Sequence, residues 1–321
     1  MTVKSSAIAH PIQGLIKYHG LKDEILRLPY HDSISVATTP TASHTTIEFG
    51  RAKKDSARVD GKRLTGREME RVLAVVNQVR RRAGIRDRFK MVSENNFPSN
   101  VGLGASASGF AALAVSACDA VGLDLSPEEV SVLARRGAGS ATRSVTGAFS
   151  RWRTGATDED SYSCQIESEA FQMGIVVALI PAFKYTESAH KAVLGSPFFH
   201  SRLAYIHDAL AEMESAIKRH DIEKIGMLAE RDSLILHGIT MTGIDEMILW
   251  RPETVRVILE VRKMRSEGLP AFFSIDTGAT VYVNTEPESV KKVEKRIRKL
   301  GIRTITCGVG GAASVVDEHL F

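Results

Sequence analysis

The order of segments between residues 252 and 308 restricts the fold more than any other feature of this chain. "PETVRVILEVRKMRSEG" carries apolar residues at helical spacing, and "AFFSID" and "TVYVNT" are short and rich in β-branched and aromatic residues. "PESVKKVEKRIRKLG" is helical again, and "RTITCG" reads as a strand. Helix–strand–strand–helix–strand is the order of a split βαβ layer, an antiparallel sheet with helices on one face.

The first half has another rhythm. "SISVAT" and "HTTIEF" read as strands, and "VDGK" places Asp-Gly at a hairpin turn. "GREMERVLAVVNQVRRRAG" predicts a helix stopped by Gly84, and "FKMVSENNFP" a strand running into a loop. "SPEEVSVLARRG" predicts a helix capped by Ser126, with Pro127 in its first turn, Glu129 completing a capping box and Gly137 ending it. After the buried strand "GIVVALI", helical patterns cover about residues 201–219 and 222–231. The change of rhythm sets a lobe boundary near residue 180, giving lobes 1–180 and 181–321 with the site between them.

One stretch points to chemistry. "NNFPSNVGLGASASGFAAL" puts glycine, serine and alanine at the mouth of a predicted helix that extends to about Val121. Small residues there have two uses. They let the helix pack closely on a neighbour, or they let backbone N–H groups reach an anion. Gly102, Gly104, Ala105 and Ala107 leave the backbone open, and Ser106 and Ser108 add hydroxyls for a phosphate or its magnesium ion. The chain has no G-x-x-x-x-G-K-[ST] loop, so this is not a Walker site.

Composition narrows the alternatives. The net charge of +4 is too small to imply nucleic acid, and the basic runs "RRRAGIRDR" and "KKVEKRIRK" read as solvated helix faces. No apolar run is long enough to span a membrane, and the first residues lack a signal-peptide pattern, which predicts a cytoplasmic protein. Cys118, Cys164 and Cys307 are odd in number and far apart; they predict small buried apolar residues, neither disulfides nor a zinc site.

"NNFPSNVGLGASASGFAALA" resembles the ATP-binding motif of the GHMP small-molecule kinases, and in particular the mevalonate-pathway decarboxylases of that superfamily. The resemblance spans nearly the whole chain. Ala9–Val36 is similar to their N-terminal substrate segment and Ala134–Trp152 to their substrate-anchoring helix and turn. "DSYSCQI", "LAERDSLILHGI" and "FFSIDTGATVYV" follow in the family's order. The resemblance implies an α+β GHMP-kinase fold, with an N-terminal ATP-binding α/β lobe and a C-terminal ferredoxin-like lobe. It implies ATP and Mg2+ as cofactors, a phosphorylated mevalonate as substrate, a homodimer, and neither nucleic acid nor membrane as partner. "CGVGGAAS" resembles the family's second small-residue loop, packed near the first; read alone, it is equally a strand-to-helix turn.

The implied chemistry phosphorylates a tertiary 3-hydroxyl and then expels that phosphate as CO2 is lost. Asp276 matches the catalytic aspartate, although alone it would read as a turn residue. Lys17 matches the lysine of "IKY", and Arg143 an arginine whose fork suits a substrate carboxylate or adjacent phosphate. Tyr18, His19 and Ser140 are the further substrate-side candidates. Ser93 and Asn96 join the small-residue loop on the nucleotide side, and Ser106 is the metal candidate. Asp232 and Ser233 match a family stretch without an assigned role.

Two departures bear on the substrate. Diphosphate-specific members commonly read "KYWGKRD" and "GSGSACRS" where this chain reads "KYHGLKD" and "GAGSATRS". The chain thus has Leu21 for a lysine and Ala138 for a serine, with Lys22 one position away as a possible replacement cation. A hydrogen bond to a charged group contributes roughly 1.5–3 kcal/mol, so two losses would disfavour a diphosphate. "HPIQGLIKYHG" also resembles the archaeal-type phosphomevalonate decarboxylases. The expectation is therefore mevalonate 5-phosphate as substrate and isopentenyl phosphate as product. The alternatives are a diphosphomevalonate decarboxylase, a mevalonate 3-kinase, or an inactive nucleotide-binding relative. His19, where tryptophan is common, either touches the phosphate or fills space.

Overall fold

The computed structural model describes residues 3–98, 102–181 and 190–321. Residues 99–101 of the small-residue stretch lie outside them. The first half holds β1 (Val3–Ala9), β2 (Ile12–Ile16), β3 (Leu21–Asp23), β4 (Leu28–Pro29), β5 (Ser33–Thr39), β6 (Ser43–Phe49), β7 (Ser56–Val59), β8 (Lys62–Arg63), α1 (Gly66–Ala83), β9 (Phe89–Asn95), α2 (Ala105–Ala120), α3 (Pro127–Arg135), α4 (Ala141–Thr146), β10 (Phe149–Trp152) and β11 (Ser163–Gln165). The second half holds β12 (Gly174–Leu179), α5 (Phe199–Lys218), α6 (Ile222–Met241), α7 (Pro252–Ser266), β13 (Phe272–Ser274), β14 (Val281–Thr285), α8 (Val290–Arg298), β15 (Arg303–Val309) and β16 (Ser314–Val316).

The first sheet runs β16-β1-β6-β9-β7-β8, antiparallel apart from the β7–β9 pair. Its apolar face, including Ala7, Ile47, Phe49 and Phe89, packs on Val72, Val75 and Val79 of α1 and on the alanines of α2. Helix α2 is buried along most of its length by side chains no larger than leucine, so it lies close on β1 and β6. Its small residues therefore do serve packing, though that does not exhaust their role. The capping box on α3 forms as expected. Gly137 does not stop that helix by a left-handed turn: the C-cap is Arg136, in right-handed helical conformation. Glycine is needed there for space, because a Cβ would lie 2.2 Å from Cδ1 of Phe110.

The second sheet runs β11-β10-β5-β15-β12-β14-β13, with β2 also paired to β5. Within it β15-β12-β14-β13 is antiparallel throughout, the strand order of a split βαβ layer. Helices cover both faces, not one. Val176, Ala178, Val281 and Val283 meet α7 and α8, while Ile175, Val177 and Tyr282 meet α5 and α6. Strands apolar on both sides need cover on both. Helix α6 runs ten residues beyond the expected Arg231, to Met241. Its second half carries Asp232, Ser233 and His237 on the buried side, which blurs the apolar stripe.

The chain end returns to the first sheet, where β16 pairs antiparallel with β1. "CGVGGAAS" is thus a strand-to-strand connection, and no helix follows it. It packs on the end of α4: Ala313 N–H donates to Val145 O at 3.0 Å, and a Cβ on Gly147 (φ 64) would sit 2.1 Å from Gly311 O. Cys118 and Cys307 are buried as expected, whereas Cys164 is half-buried.

Candidate active site

Strand β2 brings Gly14 and Lys17 against α6 and the segment after β13. Asp276 leaves β13 with its Oδ1 accepting the Gly14 N–H at 3.0 Å, and its backbone carbonyl accepts from Nε2 of His237 at 2.9 Å. Ser274 Oγ donates to Gly14 O at 2.9 Å, and Ile275 N–H to Ser233 Oγ at 3.0 Å. Three segments distant in sequence thus fix one carboxylate. Gly14 permits the approach, since a Cβ there would lie 2.6 Å from Lys17 Cγ and 2.8 Å from Asp276 Oδ1. Gly14→Ala is expected to lower kcat by at least about 100-fold, because misplacing a reacting group by an ångström is that costly. Steady-state kinetics would check this, and near-normal turnover would show that the spacing is not critical.

Lys17 is buried, with Nζ donating to Ser233 Oγ at 3.0 Å and to Ala229 O at 3.5 Å, and lying 3.6 Å from Asp232 Oδ2. Asp232 also accepts the Lys17 backbone N–H at 3.0 Å and Nη2 of Arg202 at 2.8 Å. The same Nη2 donates to Lys17 O at 2.8 Å. Burial pushes the Lys17 ammonium below its ordinary value, while Asp232 and then Asp276 act in the opposite direction. Asp232 and Ser233 thus gain a role: they aim Lys17.

Arg143 stands on α4, whose placement is fixed by Ser144 Oγ donating to His10 O at 2.5 Å and by the loop before β16. Its guanidinium is buried, 5.4 Å from the Tyr18 ring centre and 5.8 Å from that of Trp152. Burial lowers its pKa to about 10. Nε and Nη1 have no hydrogen-bond partner among the described residues, a state that calls for an anion. Ser140 precedes α4 without capping it through its side chain.

Gly14, Lys17, Ser140, Arg143 and Asp276 meet in one cleft. Gly102, Gly104 and Ala107 line one side; Lys17, Tyr18, Ser140, Arg143 and Asp276 line the other. Gly104 is the N-cap of α2 at φ 77 and Gly102 has φ 83, so no capping side chain covers the amides at the helix start. The Tyr282 hydroxyl donates to Gly102 O at 3.4 Å, tying the loop to the sheet that carries Asp276.

A second cavity borders the other side of the same helix start and is lined by Ala105, Ser106, Phe110, Arg71 and Ser93 among others. Ser106 is exposed there. Ser93 Oγ is paired with Thr45 Oγ1 at 2.8 Å, and Ser108 is turned away from both cavities, its Oγ 2.6 Å from that of Ser43. Asn96 spans Pro40 O and Ala42 N–H, each at 2.8 Å, and so closes the turn between β5 and β6. Arg71, absent from the sequence reading, lies over Phe110 at 4.7 Å and donates to Gly137 O at 2.8 Å; burial lowers its pKa to about 10. His237 and Arg202 are equally absent from that reading, and Asp232 enters it only as part of a matched stretch without a role. The signal for Asp232 was an acid spaced three and four residues from Ala229, Leu228 and Leu236, on the apolar side of a helix.

His19 does not line the cleft. It is fully buried, its ring 4.7 Å from that of His190, with neither ring nitrogen hydrogen-bonded among the described residues. Tyr18 and His190, stacked at 5.1 Å, do line the cleft. Burial holds the His19 ring well below its ordinary pKa, so it is neutral at pH 7. His19→Phe is expected to leave kcat and KM within about threefold, because no uniform binding contact is lost. A large rise in the substrate KM would reject the space-filling role. Ala138 also departs from expectation, since its methyl packs in the core of the first sheet and its helices. Lys22 donates to Gly155 O at 2.5 Å on the surface.

The chain has known relatives. Residues 9–163 match the model of the diphosphomevalonate decarboxylase-like N-terminal domain. Phosphomevalonate decarboxylase of Haloferax volcanii is 47% identical over 319 residues, covering 98% of each chain. The crystal structure of mevalonate diphosphate decarboxylase from Staphylococcus aureus superposes with a TM-score of 0.94 at 29% identity, covering 99% of each chain. MDDEF in complex with MVAPP, AMPPCP and magnesium superposes with a TM-score of 0.92 at 28% identity, covering 99% of this chain and 100% of the other. The mixed helix-and-sheet architecture is that of the GHMP-fold decarboxylases, and the chain belongs to the family of phosphomevalonate and diphosphomevalonate decarboxylases.

Proposed function

We propose that this protein decarboxylates mevalonate 5-phosphate in an ATP- and Mg2+-dependent reaction that yields isopentenyl phosphate, phosphate and CO2. The observation that carries this reading is the single cleft joining the glycine-lined start of α2 to Asp276, Lys17 and Arg143. The amides at residues 104–106 suit the nucleotide's phosphates, the cavity beside Arg71 and Phe110 suits its nucleoside, and the exposed Ser106 suits the metal. Bound Mg2+ would neutralise charge on the transferring phosphoryl group.

Asp276 accepts the proton of the 3-hydroxyl, whose oxygen bonds to the γ-phosphorus as the bond to ADP breaks. Lys17 offsets negative charge beside that carboxylate. Arg143 holds the substrate carboxylate through its two open donor positions. Carbon–carbon cleavage then releases CO2. Its electron pair forms the alkene, and phosphate departs with the carbon–oxygen pair. The low-dielectric walls, Tyr18 and Leu236 among them, strengthen each of these charge contacts. The monophosphate is favoured by the 47% identity to a relative named as a phosphomevalonate decarboxylase and by Leu21 in place of a cation.

Purified protein with ATP and Mg2+ should release CO2 and alkene chiefly from mevalonate 5-phosphate. Release chiefly from the 5-diphosphate would select the other substrate, and ATP consumption without CO2 would select a 3-kinase. The reading also includes lobes divided near residue 180, a homodimer, which sedimentation would test, and action in the cytoplasm.

A further inference from the structure

Strand β13 is the outer strand of the second sheet, paired with β14 alone among the described residues. Buried backbone groups on the open side of an edge strand need other partners. Helix α6 supplies them with side chains. Glu230 Oε1 accepts the Phe273 N–H at 3.0 Å, and Ser233 Oγ accepts the Ile275 N–H at 3.0 Å. His237 Nε2 donates to the Asp276 carbonyl at 2.9 Å. Positions 230, 233 and 237 form one stripe of the helix, and N–H groups two residues apart lie on one side of a strand. Gly226 lets the helix come close, since a Cβ there would lie 2.2 Å from Phe272 Cγ. Arg265 of α7 backs the ladder, donating to both carboxylate oxygens of Glu230 at 2.7 and 3.1 Å and to Ala271 O at 3.0 Å.

The contact at His237 differs from the other two. Strand β13 ends at Ser274, so the backbone of Asp276 has already left the sheet. A carbonyl only accepts, so Nε2 carries the ring proton and Nδ1 is bare. The ring is 1% exposed and 5.1 Å from that of Trp250, and Nδ1 has no partner among the described residues. Burial, opposed by the bond to Asp276 O and reinforced by Lys17 and Arg202, lowers the ring's pKa to about 3. It is therefore neutral at pH 7, with one N–H to give, and gives it to the main chain of the residue whose carboxylate faces the cleft.

We propose that His237 is a positioning residue for Asp276, the end of a side-chain ladder by which α6 sets where that carboxylate meets the substrate's alcohol. The Nε2–H holds the main chain of Asp276 and the Gly14 N–H holds its Oδ1, so the acid is fixed at both ends. His237 acts only through Asp276 and is not among the residues that line the cleft. This rests on the reading that Asp276 takes the hydroxyl proton.

The test is a rescue and a double-mutant cycle. His237→Phe keeps the ring against Trp250 and removes the donor. It should lower kcat by roughly 10- to 100-fold, the cost of misplacing a reacting group, with the KM for ATP and for mevalonate 5-phosphate within about threefold. His237→Gln, whose amide nitrogen reaches about as far as Nε2, should recover most of kcat. In an Asp276→Asn background His237→Phe should lower kcat no further, because the group it positions no longer reacts. A full effect on that background, a Gln variant no better than Phe, or a Phe variant within threefold of the parent would overturn the assignment. If the wild-type protein turned over none of the three mevalonate compounds, the functional reading would fail by itself. In that case, or if the Phe variant did not fold, NMR of the 15N-histidine-labelled wild-type protein decides. An Nε2–H tautomer at His237 upholds its tie to Asp276, and an Nδ1–H tautomer refutes it.

Discussion

Asp276→Asn should reduce kcat by about 100- to 10,000-fold, the usual contribution of a positioned acid–base group. The substitution is informative because little else should change. Oδ1 accepts a hydrogen bond from the Gly14 N–H, and an asparagine carbonyl oxygen can accept the same bond. The backbone carbonyl of residue 276 keeps its tie to His237. The fold and the cavity beside Arg71 and Phe110 are therefore preserved, and the KM for ATP and the melting temperature should stay close to those of the parent. What is lost is a carboxylate that can take a proton. Single-turnover measurement of phosphoryl transfer separates the steps: the defect should appear before CO2 release, since the proton leaves as the phosphoryl group arrives. A variant within tenfold of the parent would reduce Asp276 to a group that merely orients the alcohol.

Much of this site was legible in the sequence because local chemistry wrote it. A small-residue helix start is visible in "GLGASASG", and the split βαβ layer is visible as changes of period. Both depend on neighbours within a few positions. The parts that stayed hidden depend on distant pairs. Gly14 matters through Asp276, 262 positions away, and Arg202 matters through the carbonyl of Lys17, 185 positions away. Arg71 sits in a helix whose mixed charges look solvated until the fold puts Phe110 and Tyr18 beside it. His19 and Asn96 show the converse error. Their positions match functional segments, but one ring is sealed behind His190 and one amide closes a turn.

Asp232→Ala should be the most destabilising of the substitutions considered, by about 3–5 kcal/mol, because it removes one partner of a buried ion pair and leaves the other charges in place. The Asp232 and Arg202 side chains are both fully buried and 2.8 Å apart, and Lys17 lies 3.6 Å away on the other oxygen. With the carboxylate gone, two cations face each other where burial already disfavours charge. The sign of the pH effect follows. Lys17 has a folded-state pKa below its unfolded value of 10.5 owing to burial, and Asp232 is the largest influence holding it up. Between the folded and unfolded values the unfolded chain binds more protons, so stability rises with pH through that window. Removing Asp232 lowers the folded value further, which widens the window. The alkaline limb of kcat/KM, set by loss of the Lys17 proton, should then move to lower pH in the variant. Asp232→Asn should fall between the two, because the amide oxygen can still accept from Arg202 or from the Lys17 backbone but carries no charge. Thermal denaturation at several pH values, with pH–rate profiles of the parent and both variants, measures each part. A melting temperature unmoved by Asp232→Ala would mean that Lys17 and Arg202 are held by other contacts, and the aim of Lys17 at the cleft would need another cause.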